Sequence, residues 1–397
     1  MIDLFKGIGF KLLSLFSKVF FLLFIIINFN EGVLSTFLFY STVAVICATI
    51  IGSGMAEHLT ILISKNKSIF FFLFKKYFIL INLFLLLYFL LLFIDNSNLY
   101  TVLLFLILNI SFGIYMGGLV RSINYLYYEF TINMPNILFF LFSLLIENYS
   151  IGNVLFAFAS SFFITNFLTF LFAYKYYKKR VFKYSKFIKV FKIKYIEFYY
   201  GSKKMIIDLL SVLATRGIIL IPPLLGFQKL TDEESFVFSI AEASTLLFFV
   251  FINRSFVKYL NDKELKLKKL FGDIFLILGV LFLINFIPSY WILSFSFAED
   301  VFIKYNITVE SIYKGKLIFS CLIFISLLTL VKYYLWAKGN IIIYKMYFFY
   351  LSIFIGSLLF QYFFGIIPYL EYYLGLVIFL VVIFILFLLL RFSKNVI

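Results

Sequence analysis

Runs of about twenty apolar residues, separated by short polar breaks, recur from residue 8 to residue 391, and this repetition constrains the fold more than any motif. A bilayer core about 30 Å thick is crossed by roughly 20 helical residues, because each advances the axis by about 1.5 Å. Twelve runs fit, near 8–28, 34–54, 72–94, 99–120, 130–147, 152–174, 205–226, 236–256, 271–294, 312–334, 345–365 and 370–391. Hydrophobic residues make up 64% of the 397 and charged residues 14%, with a mean hydropathy of +1.08, which exceeds what one soluble domain can place in its core. The expectation is an all-α, polytopic membrane protein with about twelve transmembrane helices. The first run, MIDLFKGIGFKLLSLFSKVFFLLFIIINF, has a basic flank but no small-residue cleavage site, so it reads as an uncleaved first helix.

Lys and Arg in short loops set orientation. With the N-terminus in the cytoplasm, the inner loops include ISKNKS, KYLNDKELKLKK, KYYLWAKGN and the tail RFSKN, while NFNEG, DNSN, ENYSIGN and FAEDVFIKYNITVES lie outside. About 30 of the 35 Lys and Arg then sit on the inner side; Lys229, Lys304, Lys314 and Lys316 lie outside, and Arg216 lies within the membrane. One missed span would invert every later loop, so the bias supports twelve spans with both termini cytoplasmic. It also accounts for the net charge of +16 without nucleic acid, since basic inner loops face an anionic leaflet.

The longest polar stretch, 175–204, carries eleven Lys or Arg against the single acid Glu197. It divides the chain into a six-helix half at 1–174, a basic cytoplasmic linker at 175–204 and a second six-helix half at 205–397. Paired halves are the organisation of transporters whose substrate site lies at the repeat interface near the midplane. The linker's spaced Lys, Phe and Tyr suit an amphipathic helix on the inner surface or a solvated tether. No outer loop is long enough for a soluble catalytic domain. Cys47 and Cys321 lie in apolar runs without metal spacing, so neither a disulfide framework nor a zinc site is expected.

Charges inside apolar runs are costly, about 3 kcal/mol at the bilayer centre on insertion scales, and normally face a polar cavity or a partner. Arg216 is the deepest, about 11 residues into span seven and so roughly 16 Å along it. Glu242 enters span eight from the opposite side, and the antiparallel passage brings the two to similar heights, as a packing pair or as the lining of a charged cavity. Asp208 and Arg254 lie within about a turn of the inner surface, where side chains can snorkel. Lys11 and Lys18 stand at the start of span one, and Arg121 closes span four as a topology anchor. Asn28, Asn109, Asn166 and Gln361 are polar residues of the kind that bond between helices. Pro222 and Pro223 remove two backbone donors near the end of span seven, consistent with a bend or with a helix terminus.

The pattern of about 400 residues, twelve spans, a basic linker after span six and charged positions within ATRGIILIPPLLG and FSIAEASTLLFFVFINRSF resembles the polysaccharide flippases of the Wzx (O-antigen transporter) type. These belong to the multidrug/oligosaccharidyl-lipid/polysaccharide exporter superfamily. The resemblance covers essentially the whole chain through diffuse motifs. It implies a bacterial inner-membrane protein, not an enzyme and without a cofactor, in which spans one, two, seven and eight line a central cavity. On that likeness Arg216, Glu242, Asp208 and Arg254 line the cavity, and the substrate is an undecaprenyl-diphosphate-linked oligosaccharide. A proton or sodium ion is the candidate coupling ion, and a polysaccharide polymerase and a chain-length regulator are the candidate protein partners. A small-molecule antiporter of the same superfamily shares the architecture. A major-facilitator transporter would carry a Gly-x-x-x-Asp-Arg-type signature that GSGMAEHLTILISKNKS lacks, and a membrane polysaccharide polymerase would need a longer outer loop than TDEES or AED supplies.

Overall fold

The computed structural model describes residues 2–28, 32–52, 99–121, 124–146, 150–180, 193–224, 230–261, 272–277 and 309–337, with a few single positions between them. Eight long helices fall in these ranges: α1 (Ile2–Asn28), α2 (Val33–Gly52), α3 (Leu99–Arg121), α4 (Tyr125–Ser143), α5 (Ile151–Arg180), α6 (Ile193–Leu224), α7 (Asp232–Asn261) and α8 (Val309–Ala337). No strand occurs among the described residues. Three helices are long and apolar enough to cross a membrane, over Val33–Ile51, Leu99–Arg121 and Ile151–Lys175. The described part is therefore all-helical and has the character of a membrane protein. The expected spans at 72–94, 345–365 and 370–391 lie outside the described residues, as do most of 271–294, Gln361 and the Gly-Ser-Gly after α2.

The helix ends follow local chemistry more than hydropathy. α7 begins at Asp232, ahead of its apolar run, because Thr231 and Glu234 form a reciprocal capping box. The Glu234 N–H donates to Thr231 Oγ1 at 3.2 Å, and the Thr231 N–H donates to Glu234 Oε2 at 3.0 Å. Asp232, Glu233 and Glu234 also place negative charge at the positive end of the helix dipole. α4 starts at Tyr125 because Asn124 Oδ1 accepts the Leu126 N–H at 2.9 Å. α6 ends just after Pro222 and Pro223, and Gly226, at φ +86°, turns the chain by donating its N–H to Pro223 O at 3.2 Å. The proline pair thus lies in the last turn, and α6 ends one residue after it. α5 runs on to Arg180 and α6 begins at Ile193, so both ends of the basic 175–204 stretch are helical.

The chain forms two compact units, Met1–Leu209 and Leu210–Ile397, with the division falling inside α6. In the first, α1 packs on α4, α4 on α5, α5 on α3, and α3 on α2. Phe10 meets Phe130 and Phe20 meets Phe140, so α1 and α4 run parallel in constant register. Phe21, Phe37, Phe139 and Phe158 interlock with ring centroids 4.0 to 5.6 Å apart, joining α1, α2, α4 and α5. Buried polar side chains stitch the remaining seams. Asn166 Nδ2 donates to Asn109 O at 2.8 Å, Thr131 and Thr169 hydroxyls meet at 3.1 Å, and Ser111 Oγ donates to Ala48 O at 3.4 Å.

In the second unit α7 packs closely on α8. Ser235, Ser239 and Ala243, spaced four residues apart on α7, are wholly buried. A Cβ on Gly315 of α8 would lie 2.8 Å from Val237 Cγ1, so this glycine sets the helix separation. Gly315→Ala is expected to lower stability by about 1–3 kcal/mol, and Val237→Ala to recover most of it, in thermal unfolding of the detergent-solubilised protein. Beyond α7, the carboxylate of Asp273 accepts two hydroxyls at Oδ2, from Tyr259 at 2.7 Å and Ser255 at 3.0 Å, and the Tyr259 ring meets Tyr334 of α8 edge-on. Asp273→Ala removes the acceptor from both donors, and an expected loss of about 1.5–3 kcal/mol is checked by the same unfolding assay.

Candidate functional site

Charges of spans seven and eight meet in the second unit. Arg216 comes from α6, eight residues before its end at Leu224, and Glu242 from α7, ten residues after its start at Asp232. Residues 225–231 connect the two helices, a connection short enough to send them back side by side. Arg216 Nε donates to Glu242 Oε1 at 2.7 Å, and Nη2 reaches the same oxygen. One carboxylate oxygen therefore takes two guanidinium donors from one edge, leaving the opposite edge of the planar fork with its Nη1 donors.

Gly217, Ile219 and Leu220 on α6 and Ala241 and Ala243 on α7, the neighbours of the pair in sequence, are buried. The hydroxyls closest in sequence do not compete for it. Thr245 Oγ1 donates to the Glu242 backbone carbonyl at 2.7 Å, Ser244 Oγ donates to Ile240 O at 2.9 Å, and Thr215 Oγ1 donates to Val212 O at 3.0 Å. Each turns back on its own helix, as such side chains do inside apolar helices.

The Arg216 and Glu242 side chains keep 21% and 17% of their surface exposed. Asp208 stands two turns before Arg216 on α6, half-buried, about 12 Å along the axis. Arg254 lies on α7 three turns beyond Glu242, and its side chain falls outside the described residues, as do Glu57 and His58. Of the four expected site residues, the structure joins Arg216 to Glu242.

A second ionic cluster, absent from the sequence-based site, lies in the first unit. Lys11 of α1 and Glu129 of α4 are 1% and 0% exposed, with Nζ 3.5 Å from Oε2. Asn133, one turn on from Glu129, donates Nδ2 to Glu129 Oε2 at 3.1 Å and to its backbone carbonyl at 2.6 Å. Asn136 Nδ2 donates to Ser14 Oγ at 2.9 Å. Lys11, at the start of span one, is thus a core residue. The sequence carried one usable signal: Glu129 and Asn133 are spaced i, i+4 at the start of an apolar run, which puts both on one helix face. Arg121 is likewise buried, with its guanidinium 4.7 Å above the Tyr128 ring.

Among the described residues, no group of three or more His, Cys, Asp or Glu side chains converges as metal ligands would. No protein family model, no curated protein and no solved structure matches this chain.

Proposed function

We propose that the chain is a multi-pass transporter of the bacterial inner membrane that flips undecaprenyl-diphosphate-linked oligosaccharide units from the cytoplasmic to the periplasmic leaflet by alternating access. The observation that carries this reading is the Arg216–Glu242 pair, which places opposite charges in the apolar stretches of α6 and α7 with about one-fifth of each side chain exposed. Charges at this depth are costly unless they face a partner or a polar cavity, and incomplete burial leaves the guanidinium within reach of a ligand. Twelve apolar runs, the inward bias of Lys and Arg, and the absence of any long outer loop support the same reading.

In this mechanism Glu242 holds one edge of the Arg216 fork and presents the other to the cavity. A diphosphate or an acidic sugar offers paired oxygens that match a guanidinium edge through charge-assisted hydrogen bonds. The isoprenoid tail stays in lipid while the head group crosses. Asp208, two turns along α6, and Arg254 on α7 extend the charged lining, and protonation of Asp208 or Glu242 would couple a proton gradient to the cycle. The test is the amount and leaflet of lipid-linked oligosaccharide in cells lacking the gene. Accumulation on the inner leaflet supports flipping. Accumulation of single units on the outer leaflet would instead identify a polymerase, and unchanged lipid-linked pools with altered drug efflux would identify a small-molecule antiporter.

A further inference from the structure

α1 precedes α2 by a tight turn at Gly32, yet its main packing partner is α4, which begins at Tyr125; its contacts with α2 are sparse. Apolar surface does not explain that choice. Phe is abundant on α2, α4 and α5 alike, and the rings of Phe10, Phe20 and Phe21 would find aromatic neighbours on any of them. A ladder of similar rings also tolerates displacement by one turn, because a turn moves each ring to a position of comparable character.

Charge does discriminate. The helices α2, α3, α4 and α5 contain a single acidic residue between them, Glu129. α2 has no charged residue at all, the only charge on α3 is Arg121 at its end, and α5 carries Lys175, Lys178, Lys179 and Arg180 in its last turns. Lys11, buried to 1% exposure, therefore finds a counter-charge among these helices at one place and in one register. At that register Ser14 meets Asn136 at 2.9 Å, Phe10 meets Phe130 and Phe20 meets Phe140.

We infer that the buried Lys11–Glu129 pair is a registry device that selects α4, rather than the chain neighbour α2, as the partner of the first helix and fixes their parallel alignment. Against α2, which has no charged residue, Lys11 would be buried without an anion from its partner, and a shifted register on α4 would separate it from Glu129. The inference is independent of the proposed transport, which does not use these residues.

The experiment is disulfide cross-linking in membranes of the full chain carrying Cys47→Ser and Cys321→Ser. Ser14→Cys with Asn136→Cys reports α1 on α4, and in a separate protein Ala48→Cys with Ser111→Cys reports α2 on α3. Lys11→Glu or Glu129→Lys alone is expected to reduce the α1–α4 cross-link at least about tenfold, as an unpaired buried charge demands. The α2–α3 cross-link should stay within about twofold of the parent, and the exchange Lys11→Glu with Glu129→Lys should restore the α1–α4 yield. Retention of the α1–α4 cross-link in the single reversals would overturn the inference. So would loss of both cross-links together, which would make the pair a requirement for folding the whole unit, or failure of the exchange to restore the yield.

Discussion

Cells in which Arg216→Ala replaces the native chain are expected to accumulate inner-leaflet lipid-linked oligosaccharide nearly as far as cells lacking the gene. The loss corresponds to one charge-assisted, two-point contact of about 1.5–3 kcal/mol, or roughly 10- to 150-fold in transport rate. Arg216→Lys should fall between the two, because an ammonium keeps the charge but not the flat fork that spans two oxygens. Stability should change less than activity. Glu242 loses its counter-ion, but neither side chain is sealed in the protein interior, so the expected loss is about 1–2 kcal/mol rather than the larger value of a sealed pair. The exchange Arg216→Glu with Glu242→Arg separates the two roles. It restores the ion pair and with it thermal stability, whereas transport should stay low because the fork then projects from α7 instead of α6. Recovery of both would reduce Arg216 to packing.

The largest stability effect is expected at the other ion pair. Glu129→Leu leaves the Lys11 ammonium in a site with 1% exposure, and breaking a sealed pair costs about 3–5 kcal/mol. Lys11→Met alone should cost a similar amount, since Glu129 then lacks a cation and Asn133 supplies only one amide donor to Oε2. The double variant Lys11→Met with Glu129→Leu should unfold within about 1 kcal/mol of the parent, because an apolar pair of similar volume removes both desolvation penalties. Thermal unfolding of the detergent-solubilised proteins measures all three. Equal and additive losses in the two single variants, summing in the double, would show that the residues do not interact.

Much of the fold was legible in the linear chain, and the places where it was not share a cause. Each of the eight described helices overlaps an expected span, because a run of apolar residues long enough to cross a bilayer has few other ways to satisfy its backbone. Their ends moved where short-range polar chemistry outweighed hydropathy. Thr231 and Glu234 pull the start of α7 out to Asp232, and α6 begins at Ile193, well inside the basic stretch, because Lys, Tyr and Ile there are compatible with helix and nothing breaks it. The Arg216–Glu242 pair was accessible because a short connection between consecutive helices makes them antiparallel neighbours, so depth alone aligns the two residues. Asp273 was not, since its value lies in the hydroxyls of Ser255 and Tyr259 that it accepts in the folded chain.

By itself, the sequence determined the helical class, the apolar spans and the position of each charge along its helix, because these depend on composition within about twenty residues. Only the tertiary structure decided that α1 pairs with α4, that Lys11 is sealed while Arg216 stays partly exposed, and that Gly315 of α8 closely approaches Val237 of α7. Those facts depend on which helix face meets which neighbour across more than a hundred residues of chain, as between Ser14 and Asn136. Apolar surface is too uniform along this protein to specify that choice, so a few polar and charged side chains make it.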